Sequence, residues 1–128
     1  MIELRNVKKE YSKGNAALNG VSVKIERGEF VFIVGDSGSG KSTLIRLIMK
    51  ELNPTDGTII VNGQNLNRMR HRNIAKYRRG LGVVFQHSLC TFLMIFKSKI
   101  LVQKIAHNTA YYIISGTRHP ITAAKTII

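Results

Sequence analysis

An α/β fold is expected from three observations. A continuous apolar run, Phe30-Val31-Phe32-Ile33-Val34, has the pattern of a strand buried on both faces. It enters a glycine-rich segment, Gly35-Asp36-Ser37-Gly38-Ser39-Gly40-Lys41-Ser42, and emerges into Thr43-Leu44-Ile45-Arg46-Leu47-Ile48-Met49, which reads as a helix. Segments of a different period flank this unit. Val21-Ser22-Val23-Lys24-Ile25 alternates apolar and polar residues, as a half-buried strand does. Thr58-Ile59-Ile60-Val61 runs into Asn62-Gly63, a strong hairpin turn.

Taken in order, residues 2–7 are strand-like. Residues 11–20 are expected to be loop, because Gly14, Asn15 and Gly20 break the pattern. A strand follows at 21–25, a turn at 26–29 and the buried strand at 30–34. The helix is predicted over 41–52, with apolar residues 44, 45, 48 and 52 on one face. Asn53-Pro54-Thr55-Asp56-Gly57 carries the turn chemistry to end it. A short strand at 58–61, a short basic helix at 70–79 and a buried strand at 80–85, closing at Gln86, complete the first two thirds.

The glycine-rich segment fits G-x-x-x-x-G-K-[ST] at every fixed position, in the strand–loop–helix context that motif requires. Glycines let backbone N–H groups curl around phosphate oxygens, and the following helix N-terminus adds partial positive charge. Gly35, Asp36, Ser37, Gly38, Ser39, Gly40, Lys41, Ser42 and Thr43 are therefore the candidate nucleotide-binding residues. Lys41 is expected to reach the β- and γ-phosphates and Ser42 to ligate Mg²⁺. Asp36 places a negative charge in the loop, which weakens phosphate binding if its side chain points inward.

At 128 residues the chain is one domain at most, with a net charge of +13 that is unevenly distributed. All seven acids precede residue 57, and residues 87–128 contain five Lys/Arg and no Asp or Glu. A basic balance suits nucleic acid or an anionic membrane surface, with a solvated basic face as the plain alternative. The cluster Arg68, Arg70, His71, Arg72, Lys76, Arg78 and Arg79 is read mainly as such a solvated face, and no nucleic-acid-binding motif accompanies it. Cys90 is alone, so no internal disulfide is available. His71, His87, His107 and His119 have no metal-ligand spacing with it, and no zinc site is predicted. No signal peptide is read at the N-terminus, and the apolar run 89–96 is too short to span a bilayer.

Residues 1–86 resemble the ATP-binding subunits of ABC transporters. The resemblance rests on Gly28-Glu29-Phe30-Val31-Phe32-Ile33-Val34 entering the loop, and on Asn53-Pro54-Thr55-Asp56-Gly57-Thr58-Ile59 leading to Val61-Asn62-Gly63. Its third element is Tyr77-Arg78-Arg79-Gly80-Leu81-Gly82-Val83-Val84-Phe85-Gln86. Within the family these residues look most like the cell-division subtype. The resemblance implies a P-loop NTPase fold with a parallel core sheet and an antiparallel β layer, here incomplete at its C-terminal end. It implies ATP and Mg²⁺ as ligands, a homodimer for an intact member, an FtsX-like integral membrane partner, and a place on the cytoplasmic face of the membrane. It also places Tyr11 where the family stacks an aromatic on adenine, and Gln86 at the Q-loop, where the side chain meets Mg²⁺ or the attacking water.

Several family elements are absent from these 128 residues. There is no Leu-Ser-Gly-Gly-Gln signature, no hydrophobic strand ending in Asp-Glu, hence no second Mg²⁺-binding acid or catalytic glutamate, and no matching switch histidine. His87 stands where the family commonly has Asp. No catalytic residue is identifiable, so nucleotide binding without appreciable turnover is expected. Residues 87–128 read as a tail outside the family pattern, disordered or molten, with translation in a shifted frame as the favoured origin. The rival functions are another ABC importer or exporter subunit, a small basic nucleic-acid-binding protein, and a fragment without function.

Overall fold

The computed structural model describes residues 1–12, 14–84, 100–105, 110–115 and 123–127, with side chains described as far as Leu81. The first two strands are long. β1 (Ile2–Ser12) and β2 (Asn15–Ile25) pair antiparallel from Ile2↔Ile25 to Ser12↔Asn15. The predicted loop at 11–20 is therefore mostly strand. Its polar residues sit on the exposed face of the ribbon, which left no alternation to read.

Leu4 and Val7 are three positions apart, and a regular strand would turn them to opposite faces. The pairing shifts register between them, and Asn6 takes φ 47. This irregularity returns Val7 to the core, where it is fully buried alongside Ile2 and Leu4. β4 (Asp56–Val61) pairs antiparallel with the other edge of β1, and β5 (Gln64–Asn65) folds back on β4 through the predicted Asn62-Gly63 turn. The four-stranded order is β2-β1-β4-β5.

β3 (Glu29–Val34) belongs to a second sheet of order β6-β7-β8-β3-β9. β6 (Leu81–Val84) is the predicted strand after the basic helix. β7 (Ile100–Ile105), β8 (Ala110–Ser115) and β9 (Ala123–Ile127) come from the acid-free segment, which was expected to lack order. The sheet is mixed, not all parallel as expected. β3 runs antiparallel to β8 and parallel to β9, and β6 runs parallel to β7. The edges of β3 thus take their hydrogen-bond partners from strands that carry little sequence pattern of their own.

α1 (Lys41–Ile48) follows the glycine-rich loop. Six of its eight residues are buried, so the helix is enclosed and not merely docked by one face. Leu47, off the predicted stripe, is fully buried with Ile48, and each contributes about 1.5–3 kcal/mol relative to exposure. One core joins α1, the inner residues of the first sheet (Ile25, Ile59, Val61), and Val31 and Ile33 of β3. α1 stops four residues earlier than the periodicity suggests, because Lys50 adopts φ 56. The amide of Lys50 donates to Leu47 O (3.0 Å) and that of Glu51 to Arg46 O (2.9 Å), which together close a Schellman turn. The hydrophobic contact usual across such a turn is replaced by an ion pair, Arg46 Nε to Glu51 Oε2 at 3.9 Å. α2 (His71–Arg78) is the predicted basic helix, and none of its residues is buried.

Candidate functional site

β3 delivers the chain to Gly35, and the loop then winds back to α1 with Gly40 as the helix N-cap at φ 90. Gly40 has a steric reason to be glycine. A Cβ there would stand 2.3 Å from Ala17 O and 2.8 Å from Leu18 Cδ2, both on β2. The loop is thereby pressed onto the backbone of the first sheet. Gly38 is also left-handed, at φ 86, but a Cβ there would meet nothing within 4 Å.

Lys41 is 6% exposed, and its ammonium is held by the loop itself. Nζ donates to Gly35 O (2.7 Å), Asp36 O (2.5 Å) and Ser39 Oγ (3.1 Å). All three protons of the ammonium have an acceptor, so this charge is buried without an ion pair. Ser39 N also donates to Asp36 O (3.2 Å), tightening the same turn. Asp36 itself is exposed, and its backbone carbonyl rather than its carboxylate meets Lys41. No acid occupies the first turn of α1, which leaves the positive end of the helix facing the loop.

Tyr11, at the end of β1, reaches the same place from the other sheet. Its hydroxyl lies 3.1 Å from Thr43 Oγ1, and its ring is otherwise open, the residue being 52% exposed. Lys9 Nζ stands 5.7 Å from the ring centroid. Tyr11, Ser37, Gly38, Gly40, Lys41, Ser42 and Thr43 line one cleft of about 300 Å³, with Asn15, Ala16 and Ala17 as its wall. The structure therefore brings Tyr11 and the loop together. Ser42 sits at the mouth of the cleft in the first turn of α1, an exposed residue with the hydroxyl chemistry that a hard cation accepts. Gln86, His87, Cys90, His107, His119 and the run 89–96 lie outside the described residues.

The sequence reading missed Ala16 and Ala17. Both line the cleft, and the backbone carbonyl of Ala17 stands against Gly40, a contact with no signal in the sequence. The basic cluster is placed on and beside α2, with Arg68, Arg70, His71, Arg72, Lys76, Arg78 and Arg79 exposed. It is not part of the cleft. Arg78 differs from the others in using its guanidinium inside the fold, on carbonyls at the end of α1. No described helix is long and apolar enough to cross a membrane.

The family model described as ABC transporter matches residues 18–124. The cell division ATP-binding protein FtsE of Bacillus subtilis (strain 168) is 50% identical over 86 residues, 67% of this chain and 38% of the relative. The phosphonates import ATP-binding protein PhnC of Lactobacillus delbrueckii subsp. bulgaricus is 38% identical over 112 residues, 88% of this chain and 42% of the relative. The chain thus spans about two fifths of the length of these relatives. Among solved structures, the dimeric ATP-binding cassette MJ0796, in a post-hydrolysis state bound to ADP and Pi, aligns with a TM-score of 0.62. It is 40% identical and covers 67% of this chain and 39% of that one.

Proposed function

Because the chain belongs to the ABC transporter family, we propose that it is the nucleotide-binding part of an ATP-binding subunit, taking Mg-ATP in the cleft between Tyr11 and the glycine-rich loop. The observation that carries this is the state of Lys41. Its ammonium is buried among loop oxygens, beneath a helix N-terminus free of acids, where a polyphosphate would exchange for those oxygens. Ser42 would hold Mg²⁺ beside the phosphates, joined by Gln86 from the segment after β6. When bound, the ion would neutralise phosphate charge. Lys41 and the loop amides orient the phosphates, and Tyr11 offers its exposed face to the base.

Turnover is a different matter. Phosphoryl transfer requires a group that positions water and a second acid for the metal. These 128 residues hold neither in a recognisable motif, so the proposed activity is binding with little or no hydrolysis. The division into a nucleotide-binding part, residues 1–86, and a separate tail, 87–128, is likewise a proposal. The loss of acids after residue 56 supports it, although the family match runs to residue 124.

The cell-division role is proposed from the FtsE likeness. It carries with it an FtsX-like membrane subunit, a place on the cytoplasmic face of the membrane, and dimerisation in an intact member. An importer role is the second reading, favoured by the longer PhnC match. Equilibrium dialysis of the purified chain against labelled ATP with Mg²⁺ tests the first proposal. Saturable binding is expected, lost in Lys41→Ala, with phosphate release no faster than in a protein-free control. Binding that survives Lys41→Ala unchanged would remove the cleft from consideration. Co-purification with an FtsX-type or an importer-type membrane subunit separates the two roles.

A further inference from the structure

A helix of eight residues is too short to hold itself together, and α1 depends on how its ends are satisfied. The last carbonyls of a helix have no partner within it. Each can be followed here. Ile45 O accepts from the amide of Met49 (2.8 Å), Arg46 O from that of Glu51 (2.9 Å), and Leu47 O from that of Lys50 (3.0 Å). The chain's own turn supplies no further donors to the next three. They are taken by two adjacent side chains of α2. Tyr77 donates its hydroxyl to Ile48 O. Arg78 donates Nε to Met49 O and Nη2 to Lys50 O, both at 3.0 Å.

Two consecutive residues of α2 thus grip three consecutive carbonyls at and just past the end of α1. The grip lies at the opposite end of α1 from Lys41. α2 in turn leads directly into β6. The amide of Gly80 bonds back to Tyr77 O at 2.9 Å, and Leu81 begins the strand with its side chain in the shared core. The path from the loop to β6 is short. It runs through α1, across three hydrogen bonds, and through one tight turn. The guanidinium fork suits the task because its donors are planar and fixed relative to each other.

We propose that Tyr77 and Arg78 are positioning residues that tie α1 to β6, so that occupation of the loop by a nucleotide is felt at β6. The proposal rests on the reading of the cleft as a nucleotide site. Among the described residues, the other five cations of the cluster between Arg68 and Arg79 make no such contact, and they are not part of the proposal.

Amide hydrogen exchange on the full chain, read for residues 41–50 and 81–84 with and without Mg-ADP, tests this. The variants are Tyr77→Phe, which removes only the hydroxyl, Arg78→Lys, which keeps the charge and loses the fork, and both together. In the unaltered protein, saturating Mg-ADP is expected to slow exchange in both segments at least tenfold. In the double variant, slowing at 41–50 should persist, with nucleotide affinity within about threefold. Slowing at 81–84 should fall below twofold. Arg78→Lys alone should lie between. Equal slowing at 81–84 in the double variant overturns the proposal, as does slowing in the unaltered protein confined to 41–50. If Mg-ADP does not bind at all, the reading of the cleft fails. The tie is then judged on the ligand-free protein, where the two segments should exchange at rates within threefold of each other. The double variant should separate those rates by tenfold or more. Separate rates in the unaltered protein would dismiss the tie there too.

Discussion

Two glycines of the loop share a positive φ and differ in what surrounds them, which makes them a matched pair. Gly38 and Gly40 have φ 86 and φ 90. Alanine at either position must adopt a left-handed conformation, at a cost of about 1–2 kcal/mol. At Gly38 that is the whole cost, since the added Cβ meets nothing within 4 Å. At Gly40 the Cβ falls 2.3 Å from Ala17 O, a backbone atom in a paired strand that has no room to retreat. Forced overpacking adds about 1–3 kcal/mol. Gly40→Ala should therefore destabilise by about 2–5 kcal/mol, and should exceed Gly38→Ala by at least about 1 kcal/mol. Urea unfolding followed by circular dichroism measures the difference, provided the slopes of the transitions agree. The ligand response should run the other way. Gly38 lines the cleft at an exposed point of the loop, so Gly38→Ala should keep most of the stability while weakening Mg-ATP binding. Equal destabilisation by the two substitutions would show that the loop is not pressed on β2, and would refute the steric account of Gly40.

Tyr11→Ala should weaken Mg-ATP binding by about 5–150-fold, the range expected for losing one stacked base. Tyr11→Phe, which loses only the contact with Thr43, should change it less than threefold; titration calorimetry distinguishes the two. Tyr77 is held well above its ordinary value of 10.0 by burial. A folded-state value above the unfolded one leaves stability level below about pH 10 and lowers it as pH rises further, because the unfolded chain releases the proton first. Tyr77→Phe should flatten this alkaline loss in urea titrations at pH 9 to 11. Lys50, lowered by desolvation, acts in the opposite direction over the same range, so the comparison must be made between the two proteins. Lys50→Gly removes a left-handed non-glycine residue and also its ammonium bond to Asn53 Oδ1. A change within about 1 kcal/mol in urea unfolding is expected, since relief of about 1–2 kcal/mol is offset by the lost contacts.

The phosphate loop was legible because its chemistry leaves few substitutes: glycines where the backbone must turn, lysine where a charge must sit, and a buried strand and helix on either side. The Asn62-Gly63 turn and the basic helix were legible for similar local reasons. The long β1–β2 ribbon was not, since its pairing overrides the breakers at Gly14 and Gly20. The end of α1 was hidden by Lys50, which occupies a position where glycine would have advertised the stop. The roles of Tyr77 and Arg78 were hidden by their neighbours, because one engaged arginine among many solvated ones looks like the rest. Of the strands that flank β3, β8 carried a β-prone run, Tyr111-Tyr112-Ile113-Ile114, but neither strand had the alternation or turn signals that would reveal its pairing.

That pairing sets an order on synthesis. The first sheet needs only residues 2 to 65, all of which leave the ribosome early. β3 leaves with them, but its first partner, β8, is roughly 80 residues downstream, and β9 lies farther still. At a typical 5–20 residues per second, about 4–16 s pass while both edges of the strand that feeds the loop stand open. During that interval Phe30, Val31, Phe32 and Ile33 form an apolar strand with unpaired hydrogen-bonding groups, the kind of surface that chaperones bind and that nascent chains aggregate through. The vulnerable moment of this protein falls in its translation, at the strand on which its nucleotide site is built.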